Sequence, residues 1–230
     1  MEYINNSFQG KKVFITGGSR GIGKEIADAF QECGAEVIAP TRAQLDLADA
    51  DSVKQYLQQN NHNDVDVFVF CAGVNPKNEL KNLKLEDLTL TFQVNLFSSI
   101  QLVKEYAEGM KKRGNGKIIF ITSLYSCVTR EGRIPYTSSK HAIAGCMKTL
   151  ALELAPYNIC VDAVAPGYVM TEMTKQNLSE AEICEIQKCI PTGRFQTVRE
   201  IADTVLFLAS DMNQSITGQT IYVDGGFLCK

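Results

Sequence analysis

The chain has 230 residues, 45% of them hydrophobic and 21% charged, with 23 basic against 26 acidic side chains. A chain this long hides roughly 70–75% of its unfolded surface, so it can build a core unaided. Its net charge of −3 offers no broad basic footprint, which argues against a nucleic-acid partner. Nowhere do about 18 apolar residues run together, which argues against an ordinary membrane span.

Short β-branched runs alternate with longer helical patterns along the chain. Met1–Asn6 lacks the basic and apolar regions of a secretory signal, so a soluble, cytoplasmic protein is expected. Residues 12–16 read as a strand, and 21–33 as a helix with Ile22, Ile26, Ala29 and Phe30 on one face. Residues 36–39 predict a second strand, 49–60 a helix capped by Asp49 or Asp51, and 65–70 a largely apolar third strand. One long helix is expected over 85–112, then a buried strand over 117–122. Ile143, Cys146, Met147, Leu150 and Leu154 recur at helical spacing over 136–154, and Pro156 ends that helix. A strand over 159–164, a short helix over 179–189, a helix over 198–209 and a strand over 220–223 complete the series. Strands separated by helix-length segments predict an α/β fold, a doubly wound parallel sheet with helices on both faces. No linker-like stretch interrupts residues 1–230, so a single domain is expected.

The eight cysteines include no C-x-x-C pair, and the histidines, His62 and His141, stand far from any pair with metal-ligand spacing. Most sit in apolar runs, where a free thiol behaves as a small hydrophobe. Reduced core thiols in a reducing compartment, with no metal site, are the expectation.

Thr16-Gly17-Gly18-Ser19-Arg20-Gly21-Ile22-Gly23 lies between the first strand and the first helix. Glycines there allow a tight turn and close approach to a pyrophosphate at the helix N-terminus. A glycine turn alone says little; this one opens a strand–helix–strand unit, which favours a Rossmann-like dinucleotide site. The spacing resembles the TGxxxGxG signature of the short-chain dehydrogenase/reductase family. The resemblance continues in order through Asn95 in a V-N-L triplet, Ser123, and Tyr136-Thr137-Ser138-Ser139-Lys140 as Y-x-x-x-K. Pro166, Gly167, Val169 and Thr171 then resemble the family's PGxVxT loop, and the closing V-D-G-G lies near 225. The matches span about residues 10–226, and the compact members that reduce 3-oxoacyl groups on carrier protein are the most similar in kind.

The resemblance implies an NAD(P)-dependent oxidoreductase. Gly17, Ser19, Arg20, Gly21, Ile22, Gly23, Ala72, Gly73, Pro166, Gly167, Val169 and Thr171 would line the cofactor, with Tyr136 and Lys140 touching it as well. At the second strand's tip an acid would bond a ribose 2′-hydroxyl and an arginine a 2′-phosphate. The chain places Arg42 there, with Arg20 nearby and no acid before Asp46, so NADP(H) is favoured over NAD(H). Asp46-Leu47 resembles the family's pair beside the adenine and keeps NAD open. Only residues 43–45 separate strand tip and Asp46, where many members have a helix. Cys71-Ala72-Gly73 also replaces the usual Asn-Ala-Gly, which removes an amide from the adenosine side.

Reducing a carbonyl by hydride needs a proton for the developing alkoxide. Bringing a tyrosine from a pKa near 10 to neutrality asks for about 4 kcal/mol, and an ammonium about 4 Å away supplies about that at an effective dielectric of 20. Tyr136 and Lys140, four apart, share a helix face. By resemblance Tyr136 is the proton donor, Lys140 holds the nicotinamide ribose, Ser123 holds the substrate oxygen, and Asn95 orients a water leading from Lys140. Ser126, Ser138 and Ser139 read as local hydrogen-bonding groups.

Segments 124–135 and 168–194 are expected to rim the substrate pocket. Tyr168, Met170, Met173 and Ile190 would form an apolar inner face, and Arg130, Arg133 and Arg194 are candidates to meet an anionic group. Broad apolar faces on the helices over 85–112 and 136–154 suggest a homo-oligomer, dimer or tetramer. Three functions stay open: a ketoreductase acting on a small-molecule carbonyl, a sugar or polyol dehydrogenase, and a non-catalytic dinucleotide-binding subunit.

Overall fold

The computed structural model describes residues 7–60, 63–171, 174 and 179–229; His62 and Met173 lie outside that set. Strands β1 (Lys12–Thr16), β2 (Glu36–Ile38), β3 (Val67–Phe70), β4 (Gly116–Ile121), β5 (Ile159–Pro166) and β6 (Thr220–Val223) form one parallel sheet in the order β2-β1-β3-β4-β5-β6. The helices are α1 (Gly21–Glu32), α2 (Ala50–Gln59), α3 (Leu85–Phe92), α4 (Ser98–Arg113), α5 (Ile134–Leu154), α6 (Glu180–Cys189) and α7 (Val198–Ala209). The predicted α/β class and the strand positions are met.

Alternation along the strands explains the two helical layers. Phe14, Phe68, Phe70, Ile118, Phe120 and Val161 point to one face, where they pack on α2, α4 and α5. Val13, Ile15, Val67, Val69, Ile119 and Ile121 point to the other, against α1 and α7. Both faces are covered, so the strands read as unbroken apolar runs. An aromatic cluster anchors the first layer: Phe14 stacks on Phe68 at 5.6 Å and meets Tyr106 of α4 at 4.6 Å.

Local signals set the helix ends. Asp49 caps α2 by accepting from the Asp51 amide, while Ser179 and Thr197 form capping boxes with Glu182 and Glu200 at α6 and α7. Gly114, at φ 67°, ends α4 in the left-handed region. No helix among the described residues is long and apolar enough to cross a membrane.

The structure differs from the sequence-based expectations in three places. The single helix expected over 85–112 is two, joined by a π-helical turn over Gln93–Phe97; the apolar period runs through the extra residue and hides it. Helix α5 begins at Ile134, because Pro135 suits a first helical turn whose amide needs no partner. The cysteines are not mainly core thiols: only Cys33 and Cys160 are buried, and Cys127, Cys184, Cys189 and Cys229 are exposed. Apolar neighbours in sequence did not reveal which face each cysteine takes; α6, which carries Cys184 and Cys189, buries no residue at all.

Candidate active site

Strand order reverses between β1 and its two neighbours, because the chain runs first outward to β2 and then back past β1 to β3. Ligands of doubly wound sheets collect at such a switch, outside the carboxyl ends of the strands. Four sequence motifs meet at this edge: the glycine loop after β1, Cys71-Ala72-Gly73 after β3, Ser123 after β4, and Gly167 after β5.

The glycine loop is fixed by contact as well as by conformation. Gly17 and Gly21 take φ of 72° and 56°, where side chains are strained. A Cβ on Gly23 would lie 2.2 Å from the Gly17 carbonyl oxygen, and one on Gly17 would lie 2.9 Å from Ala72 Cα. Thr16 Oγ1 ties the two strand ends together, accepting from the amides of Cys71 at 3.1 Å and Ala72 at 3.2 Å. Helix α1 has neither a side-chain cap at Arg20 nor an acid in its first turn, so its leading amides suit an anion. Burial pushes the Cys71 thiol up to about 12 despite the nearby Lys140 charge, so this residue is a packing group and not a nucleophile.

Asn95 lies in the π-helical turn with no exposed surface. Its Oδ1 accepts from the Val74 amide at 2.9 Å, and its Nδ2 donates to the Val74 carbonyl at 3.1 Å and to Ser139 Oγ at 2.9 Å. Ser139 Oγ in turn donates to the Tyr136 carbonyl at 2.8 Å. One buried amide therefore binds the loop after β3 to the first turns of α5. The sequence reading left Ser139 as a local group. Its position three residues after Tyr136, on the face toward Asn95, was the only available sign of a wider role.

Ser123, Tyr136 and Lys140 converge beside this amide. Ser123 is buried and its Oγ accepts from the Tyr125 amide at 3.2 Å. Burial raises the Tyr136 hydroxyl above the ordinary tyrosine range; a hydrogen bond with Ser123 and the Arg133 charge pull it down, while Cys71 adds to the rise. Lys140 is buried, its Nζ donates to the Ile121 carbonyl at 2.8 Å, and the ammonium lies over the Tyr136 ring, 5.5 Å from its centroid. Burial lowers Lys140 to about 8, against a small opposite effect of Cys71. The groups that favour Tyr136 ionisation are thus Ser123 and Arg133. The Lys140 ammonium stands beside the Tyr136 ring and at the same time donates to a main-chain carbonyl.

The remaining candidates are distributed around the rim. Arg42 is largely exposed and meets Asp46 through Nε at 3.2 Å, and the other Asp46 oxygen accepts from the Ala48 amide at 3.0 Å. The segment between them is a tight turn in which the Thr41 carbonyl accepts from Gln44 and Leu45. Arg20 is exposed at the glycine loop and Leu47 is buried. Gly167 packs so closely that a Cβ would sit 2.7 Å from Asp224 Cα. Val169 bridges to Gln196, and Thr171 Oγ1 accepts from the Thr174 amide at 3.1 Å. Arg194 is removed from the substrate candidates: it binds Glu200 through two nitrogens, at 2.6 and 3.1 Å.

A family described as enoyl-(acyl carrier protein) reductase matches residues 39–228. The 3-oxoacyl-[acyl-carrier-protein] reductase FabG of Escherichia coli is 34% identical over 240 residues, covering 96% of this chain and 98% of its own. Among solved structures, a gluconate 5-dehydrogenase from Burkholderia cenocepacia in complex with NADP and tartrate superposes with a TM-score of 0.91 at 28% identity, covering 99% of both chains. A ligand-free aldohexose dehydrogenase from Thermoplasma acidophilum gives 0.91 at 27% identity, over 98% of this chain and 96% of its own.

The Asn95 bonds predict a stability effect separable from any activity. Asn95→Ala leaves the Val74 amide and carbonyl without their side-chain partner, and the unfolding free energy in urea should fall by about 1–3 kcal/mol. An unchanged midpoint would mean that the amide does not brace the loop.

Proposed function

The chain belongs to the short-chain dehydrogenase/reductase family, and we propose that it is an NADPH-dependent reductase converting a ketone to a secondary alcohol. The observation that carries this reading is the meeting of Ser123, Tyr136, Lys140 and Asn95 next to a glycine loop shaped for a pyrophosphate. A binding subunit would have no use for a serine–tyrosine pair beside a buried lysine, so the non-catalytic reading is set aside. The described residues form one sheet with one candidate site, which supports a single catalytic domain over residues 1–230.

The loop passes a test of fit for a dinucleotide. Side chains at Gly17 and Gly23 would fill the cradle, and α1 offers uncapped amides at its N-terminus. Gly17, Ser19, Arg20, Gly21, Ile22 and Gly23 would hold the pyrophosphate, and Arg20 with Arg42 a 2′-phosphate. Asp46, Leu47, Ala72 and Gly73 would border the adenosine, and Pro166, Gly167, Val169 and Thr171 the nicotinamide. When bound, the cofactor supplies the hydride received by the carbonyl carbon.

The chain's own groups handle the proton. Ser123 Oγ holds the substrate oxygen, and Tyr136 gives its hydroxyl proton to that oxygen as negative charge develops. The raised Tyr136 keeps its proton through the neutral range, which suits a donor. Lys140 provides positive charge beside the tyrosine and a donor for the ribose, and Asn95 acts as a positioning residue through Val74 and Ser139.

FabG favours a 3-oxoacyl thioester as substrate. The gluconate and aldohexose dehydrogenase structures favour a second reading, oxidation of a sugar or sugar acid by the same groups in reverse. Exposed Leu85, Leu90 and Phe97 on α3 and the turn after it, and Leu152 on α5, support a homo-oligomer, dimer or tetramer, buried along these helices. A sequence with eight cysteines but no C-x-x-C pair supports work in the cytoplasm.

Three measurements test the reading. Titrating the protein with NADPH and NADH, followed by nucleotide fluorescence, should give the tighter binding for NADPH. Arg42→Ala should weaken NADPH far more than NADH; equal weakening would sink the 2′-phosphate assignment. Tyr136→Phe should lower turnover by about 10² or more while cofactor binding survives, and full turnover would remove Tyr136 from the mechanism. The third is a pH profile. Lys140 is charged below its lowered pKa and neutral above it, so kcat/KM for reduction should hold at neutral pH and fall as pH rises through about 8. A flat profile to pH 10 would show that the lysine charge is not required.

A further inference from the structure

An acid close to a cofactor's 2′ position ordinarily bonds the ribose hydroxyl and repels a phosphate there. Asp46 stands four residues after Arg42, and both follow the end of β2. That end is packed tightly on the glycine loop, since a Cβ on Gly18 would lie 2.8 Å from Ala39 Cβ. The turn over residues 41–46 therefore starts from the wall of the loop shaped for a dinucleotide, and what Asp46 does there bears on cofactor choice.

The carboxylate is a fixed point in this turn. Leu45 and Leu47, on either side of it, are buried in the core. The Asp46 amide donates to Ser52 Oγ of α2 at 3.0 Å, and its Oδ1 accepts from the Ala48 amide at 3.0 Å. Arg42 has no such anchorage of its own, with a side chain 81% exposed. Its backbone is shaped by Thr41, whose amide and hydroxyl both donate to Gln44 Oε1, at 2.9 and 3.0 Å, and whose carbonyl accepts from the Gln44 and Leu45 amides. The turn so formed lays the guanidinium on Asp46, where Nε donates to Oδ2 at 3.2 Å. This is the one bond of the guanidinium among the described residues, so Nη1 and Nη2 are both open to a ligand.

From this we propose that Asp46 is a positioning residue for the 2′-phosphate: it holds Arg42 by Nε and leaves the Nη1–Nη2 edge as a ready fork. A guanidinium is planar, so one edge can pair with a carboxylate while another grips a phosphate through two parallel hydrogen bonds. A long exposed side chain must otherwise be ordered at the moment of binding, which weakens the complex. The Asp46 charge opposes the incoming phosphate only weakly, because its two oxygens already accept from the guanidinium and from the Ala48 amide, and salt screens the remainder. The acid thus favours NADPH, the reverse of what an acid does when it bonds the ribose itself. This role deepens the NADPH reading and rests on it for the presence of a phosphate.

The test is a double-mutant cycle followed by nucleotide fluorescence, with NADPH and NADH as the probes. Asp46→Asn is the informative change: its one side-chain oxygen can keep the Ala48 bond, while its NH2 group meets the guanidinium and breaks the pair. The ratio of the Kd for NADH to the Kd for NADPH should favour NADPH in the native protein. In Asp46→Asn it should fall roughly 3- to 10-fold, the effect of having to order one long side chain on binding. NADH binding should hold, which also reports that the variant is folded. In an Arg42→Ala background the same change at Asp46 should leave the ratio where it is, because no guanidinium remains to be held. A ratio that rises in Asp46→Asn makes the acid a repelling group and overturns the role. So does a ratio that is unchanged, or one that falls equally with and without Arg42. If Asp46→Asn binds neither nucleotide, Arg42→Lys decides: an ammonium has no second edge to offer, so the ratio should fall, and a native ratio overturns the role. A native protein that binds NADH at least as tightly as NADPH overturns the NADPH reading, and this role with it.

Discussion

A parallel sheet covered on both faces has only its ends left for chemistry, and the rest of this molecule follows from that constraint. Helices α2, α4 and α5 seal one side around an aromatic cluster, and α1 and α7 seal the other with mostly aliphatic residues and Phe30. The polar groups that act on a ligand must then come from turns at the carboxyl edge. The reversal of strand order beside β1 opens a crevice there, into which the glycine loop and the Cys71-Ala72-Gly73 turn both lead. Thr16 holds these two turns at a fixed spacing through bonds to the Cys71 and Ala72 amides.

Within that edge the buried amide of Asn95 coordinates the reacting groups. An enclosed carboxamide must find its partners inside the protein. Asn95 finds them on Val74 and Ser139, which join the β3 turn to the start of the helix carrying Tyr136 and Lys140. The π-helical turn is the backbone feature that carries the amide, and such turns recur at functional sites. The same brace extends through Asn75 to Arg133. Helix α6 buries none of its own residues, and Ile190 directly after it is buried.

The fold was largely legible in the sequence. Apolar runs of strand length, separated by helical periods and capped by residues such as Asp49 and Thr197, locate nearly every element, because burial and capping are local requirements that leave local marks. Gly17, Gly21 and Gly23 mark the loop by the same logic, as does the four-residue interval from Tyr136 to Lys140. The split of the 85–112 segment was not legible, since one inserted residue barely disturbs an apolar period. Nor was the side taken by each cysteine: exposure is decided by which neighbour arrives, not by adjacent residues.

By itself, the sequence determined the alternation of strands and helices, the glycine turn, and the identity of the groups able to move a proton, all of which follow from short-range backbone and side-chain chemistry. Tertiary structure alone decided what each group faces. It turned Lys140 toward the Ile121 carbonyl, made Ser139 a partner of Asn95, bound Arg194 to Glu200, and left Arg133 with an unmatched donor. The Lys140 and Ser139 outcomes depend on residues far apart in the chain being brought within about 3 Å, the reach of a hydrogen bond, and no pattern along the chain encodes such a meeting.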